Sequence, residues 1–189
     1  MEELIERFSV SGLQKSPSIF DENKMKWLNG EYIKELEFSR FMELATPYFE
    51  KSVIKGRYPY EKFGKILQSR IELFSEIIEK VKFIDVFEEI DKSLYDHKKF
   101  KLNADIAKQV IEESLKLLDA LTDWTEDNIR EIVGVVAKTL ELKVGGVYTV
   151  LRIALSSQKV TPGGAAEIAD ILGKEESLKR LSQSLEWLN

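Results

Sequence analysis

The chain has no cysteine among its 189 residues, which removes disulfide staples, thiolate nucleophiles and cysteine-ligated zinc. Its single histidine is His97. A stable metal site needs three or four convergent ligands, and no second histidine is present to help supply them. No apolar run approaches the ~20 residues needed to cross a bilayer, and no basic-then-apolar leader opens the chain. These absences leave a cytoplasmic protein with no membrane partner as the expectation. A glycine-rich phosphate loop followed by lysine is missing, and so is a serine nucleophile elbow. The adjacent acids Glu88-Glu89, Glu112-Glu113 and Glu175-Glu176 fan out over neighbouring directions of a helix and read as solvated surface. Nothing in the residues argues for catalysis by this chain.

An excess of basic charge is also absent. There are 33 acidic and 28 basic residues, a net charge of -5, which argues against nonspecific adhesion to nucleic acid through a broad basic face. Specific contact with exposed bases through a few arginines stays open. What is present is the balance of a globular protein, 43% apolar and 32% charged. The length suffices for two small packed units.

The apolar spacing is helical almost throughout, and an all-α fold of two consecutive helical bundles is expected. Leu67, Ile71, Phe74, Ile78 and Val81 predict one helix face. Ile129, Ile132, Val133, Val136 and Leu140 predict another, as do Val144, Val147, Tyr148, Leu151 and Leu155, and then Leu178, Leu181, Leu185 and Leu188. Asp21 can cap a helix that Asn29-Gly30 would end, and Ser39 can open the next. Pro47 starts a new turn or kinks that second helix. Gly56 to Gly64 reads as a loop or corner. Thr125 caps a helix over Glu126 and beyond, and Gly173 separates two helices near the C-terminus. The widest gap in the pattern, Tyr95 to Asp105, predicts a boundary, giving 1–38 as a connector, 39–100 as a first unit and 101–189 as a second. The basic run Lys98-Lys99-Phe100-Lys101 inside the gap reads as a solvated linker, with phosphate contact as the other possibility.

Two arginines stand out. Arg70 falls on the predicted stripe of positions 66, 70, 73 and 77, beside Ile66, Leu73 and Ile77. A guanidinium there needs a partner or a route to water. Either it pairs with a glutamate along the core edge, or it is a planar donor held ready for a ligand. Such a fork can meet the N3 and O2 acceptors of cytosine, whereas guanine would oppose donors to donors. Arg152 lies in a helix shortly before the polar segment Lys159, Thr161-Pro162-Gly163-Gly164, and either forms a helix-edge salt bridge or faces a ligand. The glycines of that segment permit close approach by a backbone or a base. A plain turn and helix start accounts for it equally well.

Several stretches, in order, resemble the C-terminal anticodon-binding region of bacterial glutamyl-tRNA synthetases. "KSPSIFDENKMKWLNGEYI" (Lys15 to Ile33) is similar to that family's Lys-Ser-Pro-x-x-Phe-Asp…Lys-x-x-Trp-x-Asn block, through Lys24, Trp27 and Asn29. "DWTEDNIREIV" resembles its Trp-Thr helix start. "LRIALSSQKVTPGGAAEIADILGKE" resembles its Leu-Arg-x-Ala-Leu-Thr-Gly…Pro-Gly…Leu-Leu-Gly-Lys-Glu ending, and "LKRLSQSLEWL" its last helix.

The resemblance implies a region without chemistry of its own that recognises the anticodon loop of glutamate tRNA. An N-terminal domain, whose signatures cannot be written in this sequence, would activate glutamate with ATP and magnesium. The chain is accordingly expected to be a fragment or a separated domain, with the connector 1–38 as the tail of the family's stem-contact region. By the same resemblance Arg70 would read the third anticodon base, and Arg152, Thr161 and Pro162 would contact the others, with Lys159, Gly163 and Gly164 on the same loop. Two positions depart from the pattern. Ser156-Ser157 stands where Thr-Gly is usual, and Gly164 where a larger apolar residue can press on a base. A helical protein-interaction module without RNA selectivity is the competing expectation.

Overall fold

A computed structural model describes residues 5, 6, 8–10 and 21–189; Lys15 to Phe20 of the first family-like block lie outside the described residues. The described secondary structure is helical, and the sole β pairing among these residues is an isolated bridge between His97 and Leu102.

Helix α1 spans Glu22–Glu35, and the Asp21 side chain accepts from Lys24 N at 3.1 Å, satisfying one orphan donor of the first turn. The expected stop at Asn29-Gly30 does not occur. The helix continues for another turn because both residues serve a tertiary contact. Asn29 Nδ2 donates to the Glu72 carbonyl. A β-carbon on Gly30 would stand 3.3 Å from both Ile71 O and Glu72 Cα, so the absence of a side chain lets the 71–72 segment lie directly on the helix.

Helix α2, Phe38–Phe49, carries Pro47 in its last turn and runs on past it. Helix α3, Tyr60–Leu67, occupies the second half of the expected Gly56 to Gly64 corner; only residues up to Pro59 turn, and Gly64 is buried inside the helix.

The predicted helix through Leu67, Ile71, Phe74, Ile78 and Val81 is also corrected. The chain leaves helical geometry after Leu67 and continues as single 3-10 turns around the one-turn helix α4, Ile77–Lys80. Leu67, Ile71, Ile77 and Val81 are nevertheless buried. Side chains tie the segment to α1 and replace part of the lost helical bonding. Gln68 Nε2 donates to Leu36 O at 2.7 Å and Ile33 O at 3.3 Å, while Glu76 accepts from Leu73 N at 3.0 Å and Glu72 N at 3.2 Å.

The Tyr95 to Asp105 segment is more tightly folded than a solvated linker. Tyr95 and Leu102 are buried and the His97–Leu102 bridge closes the loop. Phe100 lies over Gly145 and Gly146, which anchors the loop while Lys98, Lys99 and Lys101 stay exposed.

Four helices follow. Helix α5, Ala104–Asp119, is capped by Asn103, which accepts from Ile106 N at 2.9 Å, and buries Ala107, Val110, Ile111, Ser114 and Leu118 along one stripe. Helix α6, Glu126–Thr139, starts at the expected cap, Thr125 accepting from Asn128 N. Helix α7, Val144–Ser156, is buried on most of its circumference, the pattern of a central helix. Helix α8, Ala165–Leu188, is broken at Gly173 (φ 78°, ψ 170°) and packs on α5, α6 and α7.

One continuous apolar core runs from Ile33 to Leu181. Arg180, 4% exposed, clasps the first set of helices to the second. Its Nε donates to Glu176 at 2.8 Å, Nη1 to Leu155 O at 3.0 Å and Nη2 to Ile84 O at 2.9 Å, and its guanidinium lies 4.9 Å from the Phe87 ring centre. Buried in this way, each side of the planar fork meets an acceptor.

Candidate nucleic-acid interface

The end of α7 and the start of α8 face the end of α3. Ser157 ends α7 in the left-handed region, φ 55°, where glycine is the ordinary occupant. A serine is held there by a reciprocal pair with the first set of helices: its Oγ donates to Glu88 O at 2.7 Å and accepts from Glu88 N at 3.2 Å. The turn that follows presents exposed Lys159 and Val160, then Thr161 and Pro162, both half-buried. Thr161 Oγ1 donates to Gly163 O at 2.6 Å. Its hydroxyl hydrogen is thereby spent inside the turn, and its remaining capacity is as an acceptor. Gly163 is buried, with the Ile66 Cδ1 3.0 Å from where its β-carbon would be.

Arg152 and Gly164 share a depression of about 190 Å³, whose walls are Arg130, Tyr148, Ala165, Ala166 and Glu167. The acids near this depression are already engaged. Glu126 pairs with Arg130 and raises the pKa of that guanidinium, chiefly through their hydrogen bond. Glu167 accepts from Gly164 N, capping the first turn of α8. Arg152 is left outside these pairs, with its Nε buried and lacking a hydrogen-bond partner. A helix-edge salt bridge for Arg152 is not formed among the described residues.

Arg70 lies in the non-helical turn after α3, so the predicted stripe of positions 66, 70, 73 and 77 does not exist as one helix face. The residue is exposed. Its Nη1 donates to Ile66 O at 2.6 Å, a carbonyl of the last turn of α3, and no glutamate pairs with it among the described residues. Arg70 lines a second depression of about 200 Å³ with Trp27, Gly30, Glu31, Lys34, Ser69, Ile71 and Glu72. The two depressions are distinct, and Ile66 touches a residue near each: its carbonyl accepts from Arg70 and its side chain seats Gly163.

Arg130, Tyr148, Glu167 and Arg180 carry no sequence signal that marks them out, because their relevance comes from packing between helices. Trp27 belongs to the family-like block, but nothing in the sequence places it beside Arg70. Among the described residues, no group of three or more His, Asp or Glu side chains could hold a metal ion, and no helix is long and apolar enough to cross a membrane.

A family model described as an anticodon binding domain matches residues 40–185. The chain belongs to the anticodon-binding domain family. The glutamate–tRNA ligase of Clostridium novyi (strain NT) is 43% identical over 191 residues, covering 100% of this chain and 39% of the relative. That of Clostridium acetobutylicum is 38% identical over 188 residues, again covering 100% of this chain and 39% of the relative. The chain thus spans about two fifths of the length of these curated relatives and corresponds to their anticodon-binding part. A crystal structure of the glutamate–tRNA synthetase from Elizabethkingia anophelis superposes with a TM-score of 0.77 at 21% identity, over 98% of this chain and 36% of that one. That likeness establishes the shared all-α fold.

Proposed function

We propose that this chain reads the anticodon loop of a glutamate tRNA, as the anticodon-binding region of a cytoplasmic glutamyl-tRNA synthetase. The attachment of glutamate, with ATP and magnesium, is assigned to a catalytic domain outside the chain. The division of labour is residues 1–38 as connector, 39–100 as the unit carrying Arg70, and 101–189 as the unit carrying Arg152 and the Thr161–Gly164 turn.

The observation that carries the proposal is the state of Arg152. Arg152 lines an open depression whose one carboxylate, Glu167, is occupied elsewhere, and its Nε is buried without an acceptor; a guanidinium left unpaired in this way is costly. An incoming base edge would supply an acceptor to the guanidinium at the depression. Unpaired loop bases expose such edges, which is what permits a few side chains to sort them. Arg70, with one nitrogen fixed on Ile66 O, directs the rest of its fork outward, and the N3 and O2 acceptors of cytosine fit it where the donors of guanine do not. Thr161 offers an acceptor, Pro162, Gly163 and Gly164 a surface a base can approach closely, and exposed Lys159 a charge for the phosphate backbone.

Titration with stem-loops that share a stem and differ only in anticodon tests this, with salt varied because phosphate contacts weaken with salt while base preference persists. Preference for the glutamate anticodon at every salt concentration is expected. Equal binding of all loops, or of none, is what a helical protein-interaction module predicts, and it would overturn the proposal.

A further inference from the structure

We infer that Trp27 is the platform on which the third anticodon base lies while Arg70 reads its edge, an inference that rests on the function proposed above. Trp27 is 56% exposed. Isolated exposed apolar side chains are common on protein surfaces and signify nothing alone; its position opposite Arg70 is what matters.

Trp27, Gly30, Glu31 and Lys34 follow helical spacing and form the α1 wall of the depression whose other wall is Ser69 to Glu72. The two walls are locked together. Asn29 donates to Glu72 O, Gln68 donates to Leu36 O and Ile33 O, and the missing side chain of Gly30 allows the 71–72 backbone to rest on the helix. The backbones that carry the indole and the guanidinium therefore hold a fixed separation before any ligand arrives, which lowers the ordering cost of binding.

The charge of the depression selects the occupant. Glu31 pairs with Lys34 at 2.5 Å, which leaves Arg70 and Glu72 as the remaining charges of opposite sign. A phosphate would meet Glu72 and a spent lysine. A neutral, flat, hydrogen-bonding group meets an aromatic face and a planar donor. A nucleobase has this chemistry: stacking on an aromatic ring tolerates every base, so Trp27 supplies affinity, and the edge pairing of Arg70 supplies identity.

A thermodynamic cycle between the protein and the RNA tests the inference. Trp27→Ala should weaken binding of the glutamate-anticodon stem-loop about thirtyfold, the middle of the range for losing one stacked base. The ratio of affinities for cytosine and guanine at the third position should stay unchanged. Trp27→Phe should recover most of the loss. On a stem-loop lacking the base at that position, Trp27→Ala and the unaltered chain should bind alike. An equal loss on the intact and the abasic loop, or no loss on either, overturns the role of Trp27. If the unaltered chain shows no preference among anticodons, the underlying function fails instead, and the two failures are thereby distinguished. Helicity measured by circular dichroism on each variant confirms that the fold is intact.

Discussion

Gly163 rests on Ile66 so closely that a β-carbon added to the glycine would lie 3.0 Å from the isoleucine Cδ1. This contact seats the turn of the second set of helices on the end of α3, and the carbonyl of the same isoleucine holds Arg70. Ile66 thus contacts the turn through its side chain and Arg70 through its main chain. Gly163→Val should force Ile66 aside, costing about 1–3 kcal/mol of stability as an overpacked contact, and should weaken stem-loop binding as well. Gly163→Ala meets only the mobile tip of the isoleucine and should cost less than about 1 kcal/mol. Urea unfolding and loop titration of both variants check this.

Arg180 is the clasp that sequence reading does not single out. Removing it strips the acceptors Ile84 O and Leu155 O of their donor and leaves Glu176 without its buried partner. Arg180→Ala should lose about 3 kcal/mol. Arg180→Lys should recover little of it, because an ammonium cannot bridge Leu155 O and Ile84 O with the geometry of the guanidinium fork. Denaturant midpoints at constant m-value measure both.

Ser157 tests how a departure from the family pattern is tolerated. Its left-handed backbone, φ 55°, costs a non-glycine residue about 1–2 kcal/mol, and its hydroxyl offsets this through the pair with Glu88. Ser157→Ala keeps the strain and loses the pair, so a loss of about 1–2 kcal/mol is expected. Ser157→Gly relieves the strain while losing the pair and should lie within about 1 kcal/mol of the unaltered chain. Thermal unfolding should rank the three in the order serine and glycine above alanine.

Tyr95 is fully buried and its hydroxyl has no hydrogen-bond partner among the described residues. Burial pushes its pKa above the usual phenol value, since the charged phenolate is the form that loses solvation. A raised folded-state pKa means that the contribution is intact below the unfolded value of about 10 and is lost as pH rises beyond it. Stability should therefore fall above about pH 10, more steeply in the unaltered chain than in Tyr95→Phe. At neutral pH Tyr95→Phe should be at least as stable, because it removes an unsatisfied polar group. Urea midpoints at pH 7 and on the alkaline side check both statements.

The features legible in the sequence are those that local chemistry decides. Asp21 and Thr125 cap helices with their own side chains, and Gly173 breaks α8 because it takes a backbone conformation that favours glycine. The break after Leu67 is illegible for the opposite reason. The spacing of Leu67, Ile71 and Val81 satisfies a helix, but Glu76 offers the Glu72 and Leu73 N–H groups another partner and Gln68 is drawn to carbonyls at the end of α1. Continuation of α1 through Asn29-Gly30 likewise depends on Glu72, far along the chain. At the candidate site, the turn from Thr161 to Gly164 announces itself through proline and glycine. That Arg152 has no acid partner could not be read there, because it results from Glu126 and Glu167 being engaged by other groups across α6 and α8.

Affinity of the chain for two stem-loops, identical except for cytosine or guanine at the third anticodon position, measured before and after Arg70→Gln, tests the central claim most directly. Arg70 as edge reader predicts a clear preference for cytosine, about tenfold or more for a bidentate contact, and its collapse toward parity in the variant with helicity unchanged. An identical ratio in both proteins would contradict it.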